Sequence, residues 1–258
     1  MSAVAGLRWW IVGASSGLGR ALALEMARAG AEVIASARSA DALAALAGED
    51  ARIAPLPLDV TDPRSVAEAA ARIGAPDGVI YAAGAYEPMR AQDWRLGVAE
   101  AVAEVNFIGA LTVLSHVVPG MAERGAGRVV LIGSLAGFRG LPGAIGYGAS
   151  KAALMHLAEN LRADLAGSGV TVQQVNPGFI RTRLTARNDF HMPQIMTPEE
   201  AARRTLAAIR SGRFSTSFPA PFAWLFTLGR FAPLPLFHAL FGGGAKASGR
   251  ADRKEKKG

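Results

Sequence analysis

Residues 8–38, RWWIVGASSGLGRALALEMARAGAEVIASAR, hold an apolar run, a glycine-rich turn, an amphipathic stretch and a second apolar run. RWWIV (8–12) reads as a short buried strand. Leu18, Leu22, Met26 and Ala29 then recur at helical spacing on one face, and AEVIASA (31–37) reads as a second strand. The connecting turn, GASSGLG (13–19), sets Gly13, Gly17 and Gly19 around Ser15, Ser16 and Leu18. Glycine lets the chain turn tightly and lets backbone come close to a pyrophosphate, while free N–H groups at the helix start attract negative charge. A strand, such a turn and a helix near the start of a βαβ series predict a dinucleotide site. The second strand ends in Ala37 and Arg38. Selection of a ribose 2′-hydroxyl usually uses an acidic side chain where Ala37 stands, whereas a guanidinium suits a 2′-phosphate. The expected cofactor is NADP(H) rather than NAD(H).

Outward from this unit the alternation continues. Residues 41–48 read as helical, 53–60 as extended, 63–74 as helical and 77–84 as extended; 97–125 form a long helix and 127–134 a strand. A helix around Tyr147, a strand over 170–178 and a helix from Thr197 follow, with Thr197 as N-cap and Pro198 in the first turn. Strands that are apolar throughout, alternating with helices, predict a parallel sheet covered on both faces: an α/β, Rossmann-type doubly wound domain with its ligand at the carboxyl ends of the strands. The expected layout is one catalytic and dinucleotide-binding domain over 1–212, a hydrophobic C-terminal segment over 213–245 and a basic disordered tail over 246–258.

The 258 residues are half hydrophobic and 19% charged, enough apolar surface for a core. Of the net charge of +7, residues 246–257 carry +4, through Lys246, Arg250, Arg253, Lys254, Lys256 and Lys257 against Asp252 and Glu255. The rest of the chain is near neutral, and no basic helix with interleaved aromatics suggests nucleic acid. Cysteine is absent, which rules out disulfides, a thiol nucleophile and thiolate-bound zinc and agrees with a reducing compartment. With no signal-peptide pattern at the N-terminus, the expected location is cytoplasmic. His116, His156, His191 and His238 show no metal-ligand spacing, and no metal is expected.

YGASK (147–151) sets Tyr147 and Lys151 at i and i+4, on one helix face, and Lys151 is the only lysine in the first 245 residues. A phenol titrates at about 10 and is a poor acid or base at neutral pH unless a neighbouring cation favours the phenolate. The compact ammonium of lysine suits that task better than the broad fork of arginine. The sequence therefore predicts a Tyr147 phenol made more acidic by Lys151.

Together with GASSGLG, the pieces LDV (58–60), AAG (82–84), VNFIG with Asn106, IGS with Ser134, Tyr147-x-x-x-Lys151 and NPGFIRT (176–182) resemble the short-chain dehydrogenase/reductases of about 250 residues, in order and spacing, over residues 8 to about 212. The resemblance implies that Tyr147 is the general acid/base, that Ser134 holds the substrate oxygen, that Lys151 tunes Tyr147 and grips the nicotinamide ribose, and that Asn106 supports a water-linked proton relay. It implies that the dinucleotide lies over Gly13 to Gly19, with Asp59 and Val60 near the adenine and Ala83 and Gly84 near the adjoining ribose. Pro177 and Gly178 begin the run in which Ile180 and Thr182 hold the carboxamide. Val12 replaces a common threonine and Ala82 a common asparagine, so a bond bracing the central sheet is expected to be lost or replaced.

The resulting expectation is an NADP(H)-preferring oxidoreductase acting on a small hydrophobic secondary alcohol or ketone, as a dimer or tetramer. The alternatives are a non-catalytic NADP(H)-binding regulator and a membrane-surface reductase of lipid-like ketones. The resemblance implies a substrate-covering loop after residue 182, in which Phe190, Met192 and Met196, around His191, face the pocket; ordinary loop packing is the equal alternative. The aromatic, proline-broken stretch 214–241 reads as two short amphipathic segments that form a pocket lid, an oligomer contact or a membrane-surface anchor; burial on the protein or on a partner subunit is the preferred reading.

Overall fold

A computed structural model describes residues 4–95, 97–188, 190 and 192–241. The first apolar runs form strand β1 (Arg8–Val12) and, after helix α1 (Gly17–Arg28), strand β2 (Glu32–Ala37). Next come α2 (Ala40–Ala47), β3 (Ile53–Pro57), α3 (Pro63–Ile73), β4 (Gly78–Tyr81), α4 (Val98–Ala103), α5 (Gly109–Glu123), β5 (Gly127–Ile132), α6 (Ile145–Asp164), β6 (Val170–Pro177), α7 (Pro198–Ser211) and β7 (Ser215–Phe218). The described chain closes with α8 (Phe222–Thr227) and α9 (Leu234–Phe241).

All seven strands pair in parallel, in the order β3-β2-β1-β4-β5-β6-β7. Strand order reverses between β1 and β4, which opens a crevice at their carboxyl ends. The adjacent tryptophans of β1 point to opposite faces, as the pleat requires. Trp9 joins Ile11, Val33, Ile80 and Val130 in a core under α1, α2 and α7, while Trp10 joins Val12, Val79, Tyr81 and Leu131 in a core under α3, α5 and α6. Both tryptophans are fully buried.

Local chemistry sets the helix starts. Ser39 caps α2, Asp62 caps α3 and Thr197 caps α7, each accepting a backbone N–H, and Pro63 and Pro198 occupy first turns. Position 12 lacks the hydroxyl that the resemblance calls for, and Val12 instead packs in the core while Trp10 Nε1 donates to Ser36 Oγ at 2.9 Å.

Two elements differ from the expectation. Ser215–Phe218 adds an edge strand, although its sequence STSF offers no apolar run; pairing with β6 recruits it. The long helix runs from Val98 to Glu123 but contains a π-helical turn at Glu104–Ile108. This run is long and apolar enough to cross a membrane by length and composition, and here it packs on α3 and α6.

Candidate active site

The turn after β1 is built from glycines that tolerate no side chain. Gly13 has φ of +97°, and a Cβ there would collide with the backbone of Ala82 and Ala83; one at Gly19 would collide with the Gly13 carbonyl. Unlike the capped starts of α2, α3 and α7, the start of α1 receives no side-chain cap from Ser16. Its amide groups thus remain free to face an anion. This cradle suits a pyrophosphate.

The other expected cofactor residues surround the same crevice. Arg38 is exposed just past β2. Asp59, beyond β3, accepts from the Thr61 N–H and hydroxyl; these bonds, with the Arg38 charge nearby, hold its carboxyl below the usual range. Val60 lies against Gly109. Ala83 and Gly84 follow β4, and a Cβ on Gly84 would lie 3.7 Å from Asn106 Oδ1 and 3.9 Å from Lys151 Nζ. Past β6, Pro177, Gly178 and Ile180 lead to Thr182, whose methyl would come within 3.0 Å of a Cβ on Gly17. The loop after β6 therefore closes directly over the glycine turn.

The four residues expected to do the chemistry converge beside this crevice. Ser134, past the end of β5, accepts from Ala136 N–H at 3.1 Å, and its hydroxyl is near enough to the phenol of Tyr147, in the first turn of α6, to favour the phenolate. Lys151, one turn on, is 4% exposed; its Nζ donates to the Ile132 carbonyl at 2.8 Å and lies 5.9 Å from the Tyr147 ring centre. Asn106 projects from the π-helical turn. Its Nδ2 donates to Ala85 O and Ser150 Oγ, and its Oδ1 accepts from Ala85 N, so the amide pins the strand β4 loop to α6. A π turn at a functional position is a recurring device.

The electrostatics differ from the sequence expectation. Burial raises the Tyr147 phenol above its ordinary value, with the Ser134 hydroxyl acting in the opposite sense. Lys151 is destabilised as a cation by its own burial, which pushes it down to about 8. The Lys151 amine, bonded to the Ile132 carbonyl and 5.9 Å from the Tyr147 ring centre, is not among the causes of the tyrosine's shift.

Several residues of the site have no local sequence signal. Ser150 Oγ donates to the Tyr147 carbonyl and accepts from Asn106. Tyr86 meets the Tyr147 ring edge-on at 5.0 Å, and its hydroxyl donates to Asn188 Oδ1 at 2.7 Å. Glu87 pairs with both Arg187 and Arg95. Arg183 Nη2 donates to Ser16 Oγ at 3.2 Å. These contacts tie the loop after β6 to the loops after β4 and β1. Of the side chains expected over the pocket, Phe190 is exposed and packs on Phe179, and Met192 is half-buried with its sulfur near Asn188. Met196 is a correction: it is buried in the main core and its backbone bridges Ile180, because the chain has already turned back toward α7. His191 lies outside the described residues, which include no group of three or more carboxylate or imidazole side chains arranged for a metal.

A family model described as short chain dehydrogenase matches residues 9–192. A Myxococcus xanthus protein named "Uncharacterized oxidoreductase" is 39% identical over 237 residues, 89% of this chain and 94% of its own. The 3-oxoacyl-acyl-carrier-protein reductase of Thermotoga maritima is 33% identical over 79% of this chain and 82% of its own. Among solved structures, a short chain dehydrogenase from Burkholderia cenocepacia J2315 in complex with NADP superposes with a TM-score of 0.82 at 29% identity, covering 92% of this chain and 98% of that one. Sequence and fold agree: this chain belongs to the short-chain dehydrogenase family and is an NAD(P)-dependent oxidoreductase.

Proposed function

We propose that this protein prefers NADP(H) and interconverts a secondary alcohol and a ketone, with Tyr147 as general acid and base. The observation that carries the reading is the grouping of Ser134, Tyr147 and buried Lys151 beside the glycine-lined crevice, with Lys151 Nζ 5.9 Å from the Tyr147 ring centre. When bound, the nicotinamide supplies the hydride. The protein holds the oxygen and moves the proton. Ser134 Oγ, fixed by the Ala136 N–H, offers its hydroxyl to the substrate oxygen. Tyr147 donates to that same oxygen during reduction. Burial keeps the phenol protonated at neutral pH, so the proton is in place for reduction, while the raised pKa makes that proton harder to give up. Lys151, at about 8, exchanges protons readily near neutrality, and Asn106 and Ser150 hold the Tyr147 turn in place.

Arg38 beside Ala37 supports selection of the 2′-phosphate. Tyr86 meets the Tyr147 ring and bonds Asn188, so these side chains flank the phenol, and the substrate class in this reading is a small hydrophobic alcohol or ketone. The working unit in this reading is a homo-oligomer, dimer or tetramer, supported by Ile108 and Leu111 exposed along the long helix. Tyr147→Phe is the decisive test. It keeps the ring, so NADPH binding followed by fluorescence stays within a few-fold of the parent while ketone-dependent NADPH oxidation falls by about 10³ or more. Substantial residual turnover ends the assignment.

A further inference from the structure

The chain has three tyrosines, and the chemistry proposed above gives no task to Tyr81. It is the last residue of β4, fully buried, and packs with Val12, Val79 and Leu131 in the core under α3, α5 and α6. A phenylalanine would fill the same space without a hydroxyl that must find a partner in the core. Here the hydroxyl has one: Tyr81 Oη donates to the Val105 carbonyl at 2.5 Å. Burial raises the phenol well above its ordinary value, so it stays a donor at any working pH.

The place of this bond sets it apart from an ordinary core contact. Val105 lies in the π-helical turn Glu104–Ile108, where the wider backbone ring sets carbonyls off the regular helical ladder and within reach of a side-chain donor. Gly109 leaves the space that the hydroxyl occupies, since a Cβ there would stand 2.7 Å from Tyr81 Oη. Ala82, the next residue along, stands where the resemblance calls for an asparagine and has no side chain able to brace the end of β4. The tie from β4 to the neighbouring helix comes from Tyr81 instead.

The bond also sits directly beside the contacts of Asn106. That carboxamide holds both backbone groups of Ala85, at 2.7 and 3.0 Å, and donates to Ser150 Oγ at 2.9 Å; Ser150 in turn donates to the Tyr147 carbonyl at 2.9 Å. Adjacent residues of the π turn, Val105 and Asn106, are therefore tied to Tyr81 and Ala85, one before and one after the bend that follows β4. One tie alone would leave the turn free to pivot; two fix its rotation. We infer that Tyr81 is a positioning residue, whose hydroxyl holds the π turn in the register that sets the Asn106 carboxamide between Ala85 and Ser150 and so steadies the Tyr147 turn. Its effect on turnover rests on the oxidoreductase reading above, whereas its hold on Asn106 does not.

Tyr81→Phe removes the hydroxyl and keeps the ring, and amide hydrogen exchange followed by NMR on the full chain reads the result without turnover. The Ala85 N–H, held by Asn106 Oδ1, should exchange about tenfold faster or more, while the Ala82 N–H, held by the Val12 carbonyl at 2.8 Å, stays within about twofold of the parent. With a water-soluble ketone that the parent reduces, kcat should fall by about tenfold while the ketone KM and the NADPH dissociation constant stay within about twofold. The double variant Tyr81→Phe, Asn106→Ala should lose no more kcat than Asn106→Ala alone, because Tyr81 acts through Asn106. Unchanged exchange at Ala85 overturns the proposal. Equal acceleration at Ala82 and Ala85 also overturns it, since Tyr81 is then a core residue and nothing more, and so do kcat losses that add in the double variant. A parent that reduces no carbonyl compound refutes the oxidoreductase reading instead, and the exchange at Ala85 still decides for or against Tyr81.

Discussion

The turn after β1 and the segment after β7 lie near opposite ends of the chain, and they are held in opposite ways. Around the turn, Trp9, Trp10, Ile11 and Val12 are covered on both sheet faces, and Gly13 and Gly19 have no room for even a methyl group. The segment after β7 has one packed side, where Phe226 is 2% exposed, and one open side, where Phe231 is 75% exposed. Closely packed backbone on one hand and a half-covered amphipathic stretch on the other suit different tasks. The first leaves room only for a ligand that matches its backbone; the second leaves large apolar side chains uncovered.

The largest effect should come from filling the tight region. Gly13→Ala combines a strained positive φ with a backbone collision, and a stability loss of about 3 kcal/mol or more is expected, with NADPH binding lost. Thermal unfolding and a fluorescence titration report both; a normal dissociation constant would show that the crevice is looser than its geometry. Lys151→Met probes what the site costs the fold. In the parent, Lys151 titrates at about 8 when folded against 10.5 when free, so between those values the unfolded chain binds more protons and stability rises with pH. That gain, up to about 3 kcal/mol, should vanish in Lys151→Met along with activity, measured by denaturant titration between pH 8 and 10. Above the ordinary tyrosine range the raised Tyr147 and Tyr81 act in the reverse sense, so the lower window is the clean one.

A smaller effect is expected at the rim of the crevice. Arg38→Ala should weaken NADPH by about 1–2 kcal/mol and leave NADH nearly unchanged, since only NADPH brings the extra phosphate. Equal losses would remove Arg38 from the selection. The smallest effect belongs to the open face: Trp224→Ala should change stability by less than about 0.5 kcal/mol, whereas Phe226→Ala, two residues on, should cost about 3 kcal/mol. If both cost the same, the contrast between the two sides of α8 is wrong.

Periodicity and a few residue types determined much of this protein from the sequence. Apolar runs of four to eight residues alternating with helical patterns give the parallel sheet, the glycines of 13–19 give the crevice, and the i, i+4 spacing of Tyr147 and Lys151 puts them on one face of α6. All of these are local, because burial on a strand or helix repeats every few residues. What only the tertiary structure decided is non-local. The edge strand STSF exists because β6 offers it a partner; Tyr86 meets Asn188 across 102 residues and Arg183 meets Ser16 across 167. The proton affinities belong to the same class. Two residues four apart imply an ammonium that acidifies a phenol, yet folding buries both, and desolvation, which spacing cannot encode, raises the phenol and lowers the amine.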